Sequence, residues 1–217
     1  SDDLAIQVIK HIMNSTPDFD PALVDDVIVG CANPEGEQGL QIGRMISVRA
    51  LGESVPGMTI NRYCASGLET ISIAAAKINA GMGHAYIAGG TESMSMIPMT
   101  GYKLAPNYNV AKDTPDYVVS MGITAEAVAR KYGISREAAD QFSYESHLKA
   151  AKAIDAGKFN DEIVPIEVEE VFVKDGKKVS TSHTVAMDEG VRRSTTVEAL
   201  GKLRAVFAQK GVVTAGN

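Results

Sequence analysis

Three short apolar segments, separated by stretches long enough for helices, constrain the fold of this chain more than any other feature. They are residues 27–29, 57–61 and 85–88. Residues 2–13 and 39–50, which precede the first and second segments, have apolar positions at helical spacing. Short strands that alternate with helices form parallel sheets, in which a helix crosses over from each strand to the next. The sequence therefore predicts an α/β fold in which three parallel core strands can be recognised.

A cysteine lies where the second of these strands is expected to lead into a helix. Cys64 follows the strand at 57–61 and precedes an Ala- and Ile-rich stretch that ends near Gly81. At a helix N-terminus, the unpaired backbone N–H groups and the positive end of the helix dipole both favour a thiolate. The small residues that follow, Ala65 to Gly67, would let a substrate approach the sulfur. From these residues alone, a nucleophile and a small buried apolar side chain are both open for Cys64.

The pattern changes beyond Ser93. Residues 95–120 are rich in Met, Pro, Asn and Tyr without periodicity, which indicates an irregular excursion. Five further elements are predicted: helices at 124–132, 135–156 and 196–207, and alternating strands at 163–168 and 171–179 with Asp175-Gly176 as a hairpin turn. We therefore expect a core over 1–92, an inserted domain over 93–195, and a return helix with the start of the last core strand over 196–217.

Charge and composition argue against several classes of protein. The net charge is −6; residues 1–92 hold 5 Lys and Arg against 11 Asp and Glu, whereas residues 93–217 hold 16 of each kind. The acidic balance argues against a nucleic-acid partner, and a polyanionic ligand should find its cations in the second half. No apolar run approaches membrane-spanning length. Because Cys31 and Cys64 are the only cysteines, there is no disulfide framework, and a reducing compartment is expected.

Motifs along the whole chain carry a family resemblance. They are residues 30–38 (GCANPEGEQ), 61–68 (NRYCASGL), 88–95 (AGGTESMS), 120–126 (SMGITAE), 188–192 (DEGVR), 202–204 (KLR) and 214–217 (TAGN). The second and third of these resemble the nucleophile region of the thiolases, and the others resemble further thiolase motifs in the same order. So many specific motifs in the correct order make accidental similarity very improbable.

The resemblance implies a thiolase-like layered α/β/α fold with a mostly parallel mixed sheet and an inserted α+β loop domain that binds CoA. Thiolases have a further strand before the first helix and a second α/β domain beyond the position of Asn217. That domain contributes an Asn-Glu-Ala-Phe segment, a Gly-His-Pro histidine and a Cys-x-Gly-Gly-Gly cysteine. We therefore expect this chain to be the middle of a thiolase first half, with the proton-transfer residues outside it.

The resemblance also implies roles for four residues. Cys64 is the nucleophile that takes the acyl group of a 3-ketoacyl-CoA, and its backbone N–H is one donor of the oxyanion hole. Arg192 matches the position that contacts the nucleotide part of CoA, with Thr196 as a second candidate at the same wall, and Met121 matches the side chain that covers the pantetheine and acyl pocket. The structural alternatives are an exposed surface arginine and an ordinary core methionine. CoA enters as a substrate, and the resemblance implies neither a metal nor a permanently bound cofactor.

The remaining cysteine and the histidines are expected to be structural. Cys31 is predicted to fill the core or a subunit contact. A solvated or packing role is predicted for the four histidines, which are His11, His84, His147 and His183.

One position separates branches of the family. Ser120 stands where biosynthetic acetoacetyl-CoA thiolases commonly have histidine, and together with residues 34–38 this favours the degradative enzymes of fatty-acid β-oxidation. Those enzymes cleave a 3-ketoacyl-CoA to acetyl-CoA and a shortened acyl-CoA. The alternatives are a biosynthetic thiolase or a related ketoacyl synthase, and a non-catalytic thiolase-derived subunit that only binds acyl-CoA.

Assembly and compartment are also expected from the family. Its members are dimers or dimers of dimers, so we expect a homodimer or homotetramer, with a β-oxidation complex as a further partner. The compartments consistent with the resemblance are the bacterial cytoplasm, the mitochondrion and the peroxisome.

Overall fold

The computed structural model describes residues 1–217, which form two compact units. The first unit contains Ser1–Leu104 and Ile166–Thr184, and the second contains Ala105–Pro165 and Val185–Asn217. The division of the chain after residues 92 and 195 rests on the family's domain plan and stays a prediction.

The first unit is built on a three-stranded parallel sheet. Its strands are β1 (Asp26–Gly30), β2 (Gly57–Ile60) and β3 (Tyr86–Gly90). β1 lies between the other two and is hydrogen-bonded to both. Every residue of β1 is buried, as expected for a central strand that is covered on both faces. The three predicted strands and their parallel arrangement are therefore confirmed, although the sheet is wholly parallel rather than mixed.

Helices cover both faces of this sheet. They are α1 (Asp2–Ser15), α2 (Ile42–Leu51) and α3 (Ser66–Asn79). Val27 and Val29 pack in one apolar core with side chains from α1 and α2. Ile28 points to the opposite face, because side chains alternate along a strand, and α3 packs against β1 and β3. The layered α/β/α arrangement is therefore confirmed for this unit.

The start of α2 differs from the prediction, which placed a helix over 39–50. Leu40 and Gln41 have φ angles of 50° and 62°, in the left-handed region that a right-handed helix cannot include. A 3₁₀ turn over Gly36–Gln38 precedes them. The helix therefore begins only at Ile42.

A two-stranded hairpin completes the first unit. It consists of β4 (Ile166–Lys174) and β5 (Lys177–Val185). Asp175 and Gly176 form its turn with φ angles of 52° and 73°, the positive values that tight hairpin turns need. The predicted turn is confirmed, but the predicted strand bounds were wrong, because β4 runs without a break to the turn.

The second unit is helical. Its helices are α4 (Tyr108–Asp113), α5 (Met121–Tyr132), α6 (Arg136–Asp155) and α7 (Val197–Gly201). The two longest were predicted, and α5 starts three residues earlier than expected because the Ser120 hydroxyl caps it through the Ile123 N–H. α4 lies inside the stretch that was predicted to be irregular. None of the helices of the structure is both long enough and apolar enough to span a lipid bilayer.

The predicted helix over 196–207 ends early, at Gly201. An arginine at the start of α6 explains this end: Arg136 Nη2 donates hydrogen bonds to the carbonyl oxygens of Leu200 at 2.7 Å and Leu203 at 2.9 Å. In a continuing helix those oxygens would accept backbone N–H groups four residues further on. The guanidinium therefore donates the hydrogen bonds that the next turn of the helix would otherwise supply.

Two buried carboxylates hold the end of the chain within the second unit. Asp140 pairs with Arg136 at 2.7 Å and accepts a hydrogen bond from the Asn217 side chain at 2.6 Å. Glu126 accepts the backbone N–H groups of Val212 and Val213. A buried charge needs such partners, so the segment that follows α7 is fixed by side chains of α5 and α6.

Candidate active site

The carboxyl ends of the three parallel strands meet at one edge of the sheet. Gly30 is the register partner of Ile60 on β2 and of Gly90 on β3. Backbone hydrogen bonds continue the pairing past the strands, from Cys31 N–H to Ile60 O and from Thr91 N–H to Gly30 O, both at 3.0 Å. Three loops therefore leave the sheet side by side, at the edge where ligands of α/β proteins bind.

Cys64 lies in the second of these loops, in a tight turn. Tyr63 has a φ angle of 47°, which is uncommon for a bulky residue. Its N–H donates to Asn61 Oδ1 at 2.9 Å, and its carbonyl oxygen accepts the Ser66 hydroxyl at 2.6 Å. The Ser66 oxygen also accepts the Arg62 N–H at 2.8 Å. Side chains on both sides therefore hold the turn that carries the cysteine.

The Cys64 side chain is exposed. Neither its sulfur nor its backbone N–H has a hydrogen-bond partner within the chain. The alternative of a small buried apolar side chain is therefore wrong. The sulfur is open to a ligand, and the N–H can donate to an oxygen that develops negative charge.

The cysteine lies just before the helix rather than in it. α3 begins at Ser66, and its N-cap residue, Ala65, provides no side-chain cap. The first N–H groups of α3 therefore have no side-chain acceptor. Unpaired N–H groups and the helix dipole together favour an anion at such a place.

A glycine brings this helix start close to the sheet. A Cβ atom on Gly30 would lie 2.7 Å from the Ser66 carbonyl carbon and 2.9 Å from the Gly67 nitrogen. Any side chain at this position would push the start of α3 away from β1. Because Gly30 has no side chain, α3 can begin this close to β1. This close approach determines the position of the turn that carries Cys64.

The other cysteine belongs to a buried polar cluster between the first and third loops. Cys31 is 1% exposed, and burial, followed by the nearby Glu92 carboxylate, raises the pKa of its thiol to about 11. The fully buried Gln38 amide donates to Glu92 Oε1 at 2.6 Å and to Asn33 O at 2.9 Å, and lies 3.4 Å from the Cys31 sulfur. This sulfur remains a thiol at neutral pH, in agreement with the predicted structural role.

The predicted CoA-binding segment lies in the second unit. Arg192 is exposed, and its guanidinium makes no hydrogen bond or ion pair within the chain. The neighbouring Arg193, by contrast, pairs with both carboxylate oxygens of Asp155 at 2.7 and 2.9 Å. An open groove of about 470 Å³ is lined by residues 191–195 and Ala199. Of the two arginines that line this groove, Arg192 is therefore the one whose guanidinium is free to bind a ligand.

The other two predicted binding residues are also in the second unit, whereas Cys64 is in the first. Met121 is the first residue of α5 and is 69% exposed, so it is not an ordinary core methionine. Thr196 is exposed and caps α7, because its hydroxyl oxygen accepts the Ala199 N–H at 3.1 Å. That bond leaves its hydroxyl proton free. The binding roles of Arg192, Thr196 and Met121 stay predictions.

Several residues near these sites were not singled out from the sequence. Asn61, Gln38 and Glu92 were part of the family motifs, but no role was inferred for them. His147, which was expected to be structural, accepts the Arg192 backbone N–H on Nδ1 at 3.1 Å. The sequence offered one usable signal: an asparagine between a predicted strand and a predicted helix is typical of an Asx turn. No histidine side chain is hydrogen-bonded to Cys64.

Comparisons with known proteins agree with this geometry. The family described as "Thiolase, N-terminal domain" matches residues 1–217. The 3-ketoacyl-CoA thiolase of Bacillus subtilis is 47% identical over 218 residues, which cover 100% of this chain and 56% of that protein. The peroxisomal 3-ketoacyl-CoA thiolase 1 of Arabidopsis thaliana and the β-ketoadipyl-CoA thiolase of Acinetobacter baylyi are each 39% identical, with all of this chain covered and 48% and 57% of theirs. The chain spans about half the length of the curated relatives it matches.

Proposed function

The chain belongs to the thiolase family, and from that membership we propose that the intact protein is an acyl-CoA:CoA acyltransferase, an acetyl-CoA C-acyltransferase that cleaves 3-ketoacyl-CoA. Its products are acetyl-CoA and an acyl-CoA shortened by two carbons. One observation carries the proposal: an exposed cysteine in a hydrogen-bonded turn, just before a helix, with its own N–H unpaired.

The proposed reaction has two steps. First, the Cys64 thiolate attacks the 3-keto carbonyl carbon, and the Cys64 N–H donates a hydrogen bond to the oxygen as it becomes negative. The bond between C2 and C3 of the substrate then breaks, which leaves the acyl group on the sulfur and a carbanion that takes a proton to become acetyl-CoA. Second, the thiolate of free CoA attacks the acyl-enzyme thioester, and the Cys64 thiolate leaves. In the family the proton-transfer residues come from the second domain.

The CoA nucleotide is proposed to lie along the groove at Arg192. The guanidinium there has no partner within the chain, and such a group can stack on adenine and offset phosphate charge at the same time. Thr196 and Met121 are proposed to contact CoA and the acyl pocket as in the family. CoA is consumed as a substrate, and no permanently bound cofactor is proposed.

The names of the relatives favour the degradative direction. Two of the three relatives described above are 3-ketoacyl-CoA thiolases, which supports cleavage in fatty-acid β-oxidation over biosynthetic condensation or non-catalytic binding. A homodimer or homotetramer is proposed, with a β-oxidation complex as a further partner. Bacterial and peroxisomal relatives are consistent with the bacterial cytoplasm or a peroxisome, and the mitochondrion is the remaining proposed compartment.

Mass spectrometry of the intact protein tests the proposed reaction. After incubation with a 3-ketoacyl-CoA and no free CoA, we expect one acyl group on Cys64, which free CoA then removes. Cys64→Ser should carry no acyl group, whereas Cys31→Ala, the matched control, should acylate like the wild type. An acyl group that forms equally in Cys64→Ser, or a wild type that forms none, would contradict the proposal.

A further inference from the structure

We propose that Asn61 is a positioning residue whose side chain holds Tyr63 in the left-handed conformation and thereby keeps the Cys64 N–H free for the acyl oxygen. The inference rests on the proposed function, because it concerns how Cys64 is acylated. It is based on the turn before α3 and on the two loops that lie beside it.

Tyr63 needs an external constraint to keep its conformation. Its φ angle is 47°, a region that only Gly, and sometimes Asn or Asp, visits readily. The side chain is 68% exposed, so side-chain packing supplies little of that constraint. The hydrogen bonds of the Tyr63 backbone must therefore supply most of it.

Asn61 makes one of these bonds and anchors it with a second bond to another loop. Its Oδ1 accepts the Tyr63 N–H at 2.9 Å, and its Nδ2 donates to the carbonyl oxygen of Ala32 at 3.0 Å. The first bond closes an Asx turn that starts at Asn61 and ends at Tyr63. The second ties that turn to the loop after β1. The side chain is thus fixed at both ends and cannot rotate away without breaking a bond.

The anchor at Ala32 is itself held. The Ala32 N–H donates to Glu92 Oε2 at 2.6 Å, and Glu92 Oε1 accepts from the fully buried Gln38 amide at 2.6 Å. Gln38 Oε1 in turn accepts the Ser93 N–H. A continuous set of hydrogen bonds therefore runs from the loop after β3, through the loop after β1, to the turn that carries Cys64.

The hydrogen bonds within the turn show the effect of this hydrogen-bond network on Cys64. The N–H groups of Arg62, Tyr63, Ala65 and Ser66 all have acceptors within the turn. Cys64 alone among these neighbours has an N–H without one. A change in the φ angle of Tyr63 would reorient the chain that follows it, beginning with this N–H. Asn61 therefore controls the oxyanion donor although it does not contact the substrate.

Three variants of the intact protein test the proposal: Asn61→Ala, Asn61→Ala combined with Tyr63→Gly, and Asn79→Ala as the matched control. Asn79 is the exposed last residue of α3 and makes no side-chain hydrogen bond. We expect the single-turnover rate of Cys64 acylation by acetoacetyl-CoA to fall by about 10- to 100-fold in Asn61→Ala, with KM little changed. Glycine adopts the left-handed conformation without strain, so the double variant should recover most of the lost rate.

A second readout separates positioning from general damage. Alkylation of Cys64 by iodoacetamide needs no oxyanion donor, so its rate should stay close to that of the wild type in Asn61→Ala. The inference is overturned if Asn61→Ala acylates like Asn79→Ala, if alkylation falls as much as acylation, or if Tyr63→Gly restores nothing. If Asn61→Ala fails to fold, Asn61→Ser, which retains an acceptor for the Tyr63 N–H, should acylate nearly normally, and a large loss there overturns the proposal. A wild type that is never acylated contradicts the proposed function instead.

Discussion

Replacing Gly30 by alanine would place a methyl group where the start of α3 packs against β1. Its Cβ would lie 2.7 Å from the Ser66 carbonyl carbon, 2.8 Å from Ser66 Cβ and 2.9 Å from the Gly67 nitrogen. Carbon contacts are comfortable from about 3.5 Å, so the helix start must retreat by roughly half an ångström or more. Overpacking of this kind costs about 1–3 kcal/mol, which exceeds the roughly 0.5–1 kcal/mol that alanine gains over glycine in a strand.

Gly89→Ala is the matched control for this substitution. Gly89 on β3 is the register partner of Val29, next to Gly30, and a Cβ there would meet no atom within 4 Å. Chemical denaturation should show a lower free energy of unfolding for Gly30→Ala and an unchanged or slightly higher one for Gly89→Ala.

Single-turnover acylation of the same two variants should show a corresponding difference. We expect Gly30→Ala to lose acylation rate by on the order of tenfold, because the shifted helix start carries the turn at Cys64 with it. Equal stability and equal acylation in the two variants would refute the idea that the close approach of α3 to β1 places the nucleophile.

Three further outcomes are expected. Arg192→Ala should raise KM for CoA with little change in kcat, whereas Arg193→Ala, whose guanidinium is already paired, should leave KM as it is; steady-state kinetics that show the reverse would contradict the assignment. Asp140→Ala should lower the free energy of unfolding by about 1–3 kcal/mol, because it removes the carboxylate partner of the partly buried Arg136 and the acceptor of the Asn217 side chain; a smaller loss, measured by denaturation, would show that the pair is dispensable. In Cys64→Ser, iodoacetamide should label Cys31 slowly at neutral pH and faster only as pH approaches about 11. Rapid labelling at pH 8 would contradict the burial of this thiol. Because the pKa of the folded thiol lies above the ordinary 9.0, the contribution of Cys31 to the free energy of unfolding is present below pH 9.0 and is lost as the pH rises through 11.

The elements that the sequence predicted well are those whose signal is local. The strand at 27–29 is a short apolar run that stops at a glycine, and α6 begins at a serine that caps it. Both elements depend on residues within a few positions of one another. The hairpin turn at Asp175-Gly176 was found for the same reason.

The elements that were mispredicted have causes that the local residue pattern does not show. α7 stops because Arg136, more than sixty positions away, takes the carbonyl oxygens of Leu200 and Leu203. The pattern of residues 196–207 is apolar at helical spacing and contains no sign of that arginine. α2 begins late because Leu40 and Gln41 are left-handed, which neither residue type favours by itself.

The candidate site follows the same division. The position of Cys64 between a strand and a helix could be predicted from the residues around it. The partners of Asn61 and Glu92 could not, because Ala32 and Gln38 lie on another loop that reaches them only when the sheet has formed. Short-range chemistry is visible in a sequence, whereas contacts between neighbouring loops need the fold.

The carboxylates that fix the end of the second unit have a consequence for the order of folding. Glu126 and the Val213 N–H that donates to it are 87 residues apart, and Asp140 and Asn217 are 77 apart. Contacts of such high contact order form late. On the ribosome, α5 and α6 would emerge long before the residues whose N–H groups donate to these two carboxylates. We therefore expect the nascent second unit to stay open, and accessible to chaperones, until residues 212–217 have left the exit tunnel.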